Sequence, residues 1–105
     1  IKPLDTSSDV THAYHLYVIR LEGTQAKGGR SAIFETLRKE GIGVNVHYIP
    51  VHLHPFYRKH FDTHPGMCPV AEAAYEQILS LPIFPSMEDL DVKKVTGAVR
   101  RAVGG

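Results

Sequence analysis

The sequence predicts one small α/β domain of the α+β type, in which a small sheet carries helices on one side. Three observations predict it. A chain of 105 residues has room for one domain and not comfortably for two. With 43% hydrophobic and 22% charged residues it has the composition of a globular protein that builds a core, and disorder is not the default. Finally, the apolar pattern alternates between the strand period and the helix period, giving strand–helix–strand–loop–helix–short strand–helix.

Each element has its own reason. Residues 1–11 are polar, with Pro3, Asp5 and a Thr-Ser-Ser run, and read as a linker. "AYHLYVIRL" (13–21) is rich in β-formers and largely apolar on both faces, which predicts a strand covered on both sides. Within it, His15 is expected as a hydrogen-bonded strand residue. "EGTQAKGG" (22–29) is a polar connection. "RSAIFETLRKEG" (30–41) is helical: Ile33 and Leu37 stand one turn apart, with Glu35, Arg38 and Lys39 facing water. Gly41 sits where a helix closes in a left-handed cap.

"IGVNVHYI" (42–49) sets Ile42, Val44 and Val46 against Gly43, Asn45 and His47, the alternation of a half-buried strand. Pro50 and Pro55 bracket a loop, followed by a short turn of helix over 56–61. Residues 63–69 form another connection. The stripe Val70, Ala74, Ile78 and Leu81 predicts a helix over 70–81, and "PIFP" (82–85) a short extended piece. Ser86 with Asp89 resembles a capping box opening a last helix over about 87–103, with Val92, Val95, Val99 and Val103 inward. Acids early and bases late in that helix suit its dipole.

Charge and cysteine content exclude several classes. A net charge of +1, with only the pairs Lys93–Lys94 and Arg100–Arg101, makes no basic face for nucleic acid. No apolar run approaches the roughly 20 residues that span a bilayer. The single cysteine, Cys68, forms no internal disulfide and fits a reducing, cytoplasmic setting. The chain opens on Ile1 rather than methionine, which reads as a piece of something longer.

Seven histidines are present, and His47, His52, His54, His60 and His64 fall close together. Zinc needs three or four converging ligands. His52 and His54 would share a face if extended, with His47 able to join, but the sequence offers no second cysteine and only Asp62 nearby. No metal-ligating residue is therefore expected, and His60 and His64 read as solvated imidazoles. Cys68 reads as an inert thiol. Gly28–Gly29 ahead of a helix lacks a phosphate-loop pattern and reads as a flexible start to the helix. No carboxylate pair is poised for acid–base chemistry.

Three segments, in order, carry a resemblance: "AYHLYVIRL", "RSAIFETLRKEGIGVNVHYIPVHLHPFY" and "CPVAEAAYEQILSLPIFPSMEDLDVKKV". Together they resemble the C-terminal domain of the DegT/DnrJ/StrS nucleotide-sugar aminotransferases, over about residues 12–103, nearest to the branch acting in pseudaminic acid synthesis. The resemblance implies a mostly antiparallel sheet with helices on one side, as in the small C-terminal domain of fold-type I pyridoxal-phosphate enzymes. It divides the chain into a 1–11 linker and a 12–105 small domain. The implied parent is a cytoplasmic homodimer that moves an amino group from glutamate to a nucleotide-linked keto-sugar, with UDP the expected nucleotide.

No lysine of this chain lies in a stretch resembling the family's Schiff-base motif. The resemblance therefore assigns no catalytic or cofactor-binding residue here and expects no cofactor on this chain alone. It assigns the "HYIPVH" loop to a wall of the substrate site, with His52 first, Tyr48 second and His47 third as sugar contacts. An imidazole can hydrogen-bond a hydroxyl or phosphate oxygen without acting as a base. Two other readings stay open: a small histidine-rich metal- or ligand-binding module, and an interaction domain without catalysis.

Overall fold

A computed structural model describes residues 1–22 and 28–104. Three strands, β1 (Lys2–Pro3), β2 (Tyr17–Arg20) and β3 (Ile78–Leu81), form an antiparallel sheet in the order β1-β2-β3. Four helices complete the α+β fold: α1 (Gly29–Lys39), α2 (Pro55–His60), α3 (Pro69–Gln77) and α4 (Asp89–Gly104), with a 3-10 turn at Val51–Leu53 ahead of α2. Among the described residues no helix is long and apolar enough to cross a membrane.

The core lies between one sheet face and the pair α1 and α4. Ile19 and Leu21 from the β2 side, Leu79 from β3, Ile33 and Leu37 from α1, and Val95, Ala98 and Val99 from α4 are all buried. Register explains the sheet's part: Ile19 faces Leu79 and Tyr17 faces Leu81, so alternate side chains of both strands point at the helices. Val18 and Ser80, also paired, point the other way and carry the side of the sheet on which the candidate site is built.

Helix α1 forms where its period places it, and its end is set by Gly41. Gly41, at φ 75°, donates its N–H to Arg38 O, and Ile42 donates to Leu37 O at 2.9 Å. This pair of bonds is a Schellman closure, with Ile42 and Leu37 buried together. At the other end Gly28 is left-handed at φ 90°, and a Cβ there would meet the Ala32 Cβ at 2.9 Å. The turn needs glycine for a steric reason as well as a conformational one.

Several elements differ from the sequence expectation. The helix expected over 70–81 ends at Gln77, and its last four residues are β3. Ladder hydrogen bonds to β2 and complete burial of Leu79 outweigh the helical stripe, and Val70, expected on that stripe, is exposed. The strand expected over 42–49 reduces to one bridge between Asn45 and Ser80. Val44 N–H turns back to Ile42 O, which curls the chain off the ladder although Ile42 and Val44 keep their buried face.

The strand expected over 13–21 shortens to β2. Its Tyr17 is exposed rather than covered, and His15 precedes the strand instead of sitting in it. Residues 1–11 include Lys2–Pro3, an edge pair of the kind that tolerates proline. No strand forms at 82–85, where Phe84 O instead accepts from Met87 N–H in a turn.

The last helix starts later than Ser86 implies. Asp91 reaches back to accept the Glu88 N–H at 3.0 Å, the reciprocal half of a capping box shifted two residues along. Val92 is exposed rather than inward, while Val95 and Val99 are buried as expected. Arg101 joins the end of α4 to Glu40 beyond α1 at 2.6 Å. Of the polar connection expected at 22–29, residues 23–27, with Lys27 among them, lie outside the described residues.

Candidate functional site

The site is assembled on the sheet face opposite the core. The segment after α1 runs beside β3, bridged Asn45 to Ser80, and delivers His47 over that strand. His47 Nδ1 lies 2.9 Å from Ser80 Oγ, which gives the one buried polar residue among those described a partner. The next residue, Tyr48, projects into solvent with 65% of its surface exposed. Its ring stacks on His54, with centroids 5.7 Å apart and planes 22° from parallel.

Pro50 then opens the 3-10 turn, closed by Leu53 N–H to Pro50 O and His54 N–H to Val51 O. This turn points His52 away from Tyr48's partner and inward. Pro55 is the first residue of α2, where a missing N–H is harmless. The helix carries a small exposed aromatic cluster, in which the rings of Phe56, Tyr57 and Phe61 lie within about 6 Å of one another.

His52 is the anchored member of the loop. Its side chain is 10% exposed, and Nε2 lies 2.8 Å from Glu72 Oε1. An ionised carboxylate only accepts, so Nε2 carries the hydrogen. Thr63 Oγ1 donates to His52 O at 2.6 Å, pinning the backbone of the same residue.

Glu72 sits in the first turn of α3 and collects further donors. The Gly66 N–H donates to Oε1 at 2.8 Å and to Oε2 at 3.0 Å, and the Cys68 N–H donates to Oε1 at 3.3 Å. The His52 hydrogen bond, opposed by partial burial and aided by the Gly66 and Cys68 N–H groups, holds the carboxyl below the ordinary glutamate range. Glu72 thus ties three segments together: the loop after Pro50, the connection before α3, and α3 itself.

The five clustered histidines do not converge. His47 goes to Ser80, His52 to Glu72, His54 to Tyr48, His60 lies 4.8 Å from the Phe56 ring, and His64 Nδ1 faces Pro65 O. Among the described residues no three His, Cys, Asp or Glu side chains group to hold a metal ion. Cys68 is free and exposed.

Of the three expected sugar contacts, only Tyr48 is openly presented. His47 and His52 each have one ring nitrogen committed to the protein. Sequence reasoning missed Glu72, Ser80 and Thr63. An acid in a first helical turn after Cys-Pro signals a capping role, but nothing local signals its bond to a histidine twenty residues earlier.

A small three-stranded antiparallel sheet with four helices is the fold that solved sugar aminotransferases share with this chain over part of their length. This chain belongs to the DegT/DnrJ/EryC1/StrS aminotransferase family, whose model matches residues 1–100. It is 45% identical over 98 residues to the spore coat polysaccharide biosynthesis protein SpsC of Bacillus subtilis, covering 92% of this chain and 25% of that protein. It is 48% identical over 94 residues to the uncharacterized protein MJ1066 of Methanocaldococcus jannaschii, covering 90% of this chain and 24% of that one.

Among solved structures, the apo-form of the putative sugar aminotransferase Spr1654 from Streptococcus pneumoniae superposes with a TM-score of 0.88 at 30% identity, over 98% of this chain and 26% of that one. The same protein is also solved in PMP- and PLP-forms. A DegT DnrJ EryC1 StrS aminotransferase from Brucella abortus gives 0.78 at 31% identity, over 99% of this chain and 26% of that one. The chain therefore spans about a quarter of the length of the curated relatives it matches.

The described residues do not fit a pyridoxal phosphate cradle. Lys2, Lys39, Lys59, Lys93 and Lys94 are all exposed, and none belongs to the His52–Glu72 assembly. A Schiff-base lysine needs a desolvated, oriented setting that none of them has.

Proposed function

We propose that this chain is the small domain of a pyridoxal-phosphate-dependent sugar aminotransferase, and that residues 47–57 form one wall of its substrate site. The cofactor supplies carbanion stabilisation when bound, and on this reading its lysine and phosphate contacts belong to residues outside this chain. The substrate is a nucleotide-linked sugar, with a UDP-linked 4-keto-6-deoxy sugar of pseudaminic acid synthesis as the specific expectation and glutamate as amino donor. The enzyme is a cytoplasmic homodimer.

The observation that carries this reading is the contrast within one loop. Tyr48 is 65% exposed, while the residues on either side of it are braced through His47 to Ser80 and His52 to Glu72. A rigid loop that presents an amphipathic ring and polar ring nitrogens suits a sugar, whose faces are apolar and whose edges are hydroxyls. On this reading the loop's own work is to bind and orient.

Transamination runs as two half-reactions, which separates the sugar's contacts from the donor's. In the aminotransferase that carries this domain, Tyr48→Ala raises the keto-sugar KM about 10-fold, the size of one lost stacking or hydrogen-bond contact. The glutamate half-reaction stays unchanged. An unchanged sugar KM, or equal loss in both half-reactions, would contradict the assignment.

A further inference from the structure

We propose that Glu72 is a positioning residue for the substrate loop. It fixes the neutral His52 ring in the Nε2–H form and leaves the bare Nδ1 as a hydrogen-bond acceptor for a ligand. The inference rests on the reading that residues 47–57 face a nucleotide sugar, and it names the group that His52 addresses there.

The Glu72 carboxylate has only lone pairs to offer, so the 2.8 Å contact obliges His52 Nε2 to donate. A neutral imidazole has one N–H, and once Nε2 holds it, Nδ1 is an acceptor. Among the described residues Nδ1 has no partner, and the side chain keeps a tenth of its surface open. An acceptor does not recognise a phosphate oxygen, which is itself an acceptor. The matching group on a nucleotide sugar is a hydroxyl of the sugar or ribose.

Glu72 is itself held in place. Gly66 N–H bridges both its oxygens, Cys68 N–H adds a third bond, and Thr63 holds the His52 carbonyl. This is the arrangement in which an outer carboxylate orients a working histidine without touching the ligand. A role limited to capping α3 would use the Gly66 and Cys68 donors and leave the His52 ring free to choose its tautomer.

The test is a long-range 1H–15N correlation spectrum of the 15N-labelled full chain above the histidine titration range, with Glu72→Ala and Glu72→Gln variants. The wild type shows His52 with a protonated Nε2, its hydrogen protected from exchange, and a bare Nδ1. Glu72→Ala loses that protected N–H, whereas Glu72→Gln, whose amide oxygen also accepts, retains it.

A protonated Nδ1 in the wild type overturns the proposal. So does a protected Nε2–H that survives Glu72→Ala with the Ile33, Leu37 and Leu79 methyl resonances unmoved. If Glu72→Ala does not fold, the wild-type tautomer and Glu72→Gln decide, and a folded Gln variant without the Nε2–H counts against it. In the aminotransferase that carries this domain, UDP-glucose, added at millimolar concentration as a probe, shifts the Nδ1 resonance. No shift with the tautomer intact contradicts the sugar reading of the loop, while the positioning of His52 by Glu72 stands.

Discussion

His52 Nε2 donates to Glu72 Oε1 at 2.8 Å, and this one hydrogen bond joins the loop after Pro50 to the first turn of α3. The two residues come from segments separated by α2 and a polar connection. Their contact decides which ring nitrogen of His52 is left as an acceptor.

The first prediction concerns pH. Glu72 is held below the ordinary glutamate range, chiefly by His52. A carboxyl depressed on folding stabilises the fold fully above its unfolded value and loses that contribution as pH falls through its folded value. Stability therefore declines as pH drops below about 4.3, the ordinary glutamate value. In His52→Ala the Glu72 titration moves up toward that value and the decline flattens. Carboxyl 13C titration of Glu72 reads the first effect, and thermal melts across the acid range read the second.

The second prediction separates two glycines. Gly41→Ala places a side chain at φ 75° with open space around it, and costs about 1 kcal/mol. Gly28→Ala adds to a φ of 90° a contact of 2.9 Å with the Ala32 Cβ, so it costs more. Urea denaturation of both variants should give this order, and equal losses would contradict the steric account.

Leu79 tests the placement of β3. It is fully buried between β2 and the helices, so Leu79→Ala costs about 2–5 kcal/mol. Val70→Ala, at 84% exposure, stays within about 0.5 kcal/mol. A single helix over 70–81 would make Val70 costly too, which the same denaturation series checks.

These cases mark what the sequence could reveal. Ile33, Leu37 and Gly41 were legible because helix period and left-handed closure are local properties. The strand at 78–81 was not, since its apolar residues also fit a helical stripe. Pairing with β2, far along the chain, decided between them. At the site, Pro50 and Pro55 were legible as the brackets of a turn ahead of a short helix, which the structure shows as Val51–Leu53 followed by α2. The loop's histidines looked alike in sequence and became distinct only when Ser80 and Glu72 arrived from elsewhere in the fold.

The divergence of those histidines predicts the outcome with metal. Zinc titration of the chain gives no tight stoichiometric uptake, and a chelator leaves the melting temperature unchanged. A structural zinc site would instead lose much of its folding energy on chelation. Tight uptake abolished by His52→Ala/His54→Ala would favour the metal-binding reading.

The most direct measurement is a crystal structure of the aminotransferase that carries this domain, with its nucleotide sugar bound. The account predicts the Tyr48 ring against the sugar and a sugar or ribose hydroxyl within about 3.2 Å of His52 Nδ1, with the Nε2–Glu72 bond intact. A ligand bound with residues 47–57 turned away from it, or with His52 released from Glu72, would contradict the account.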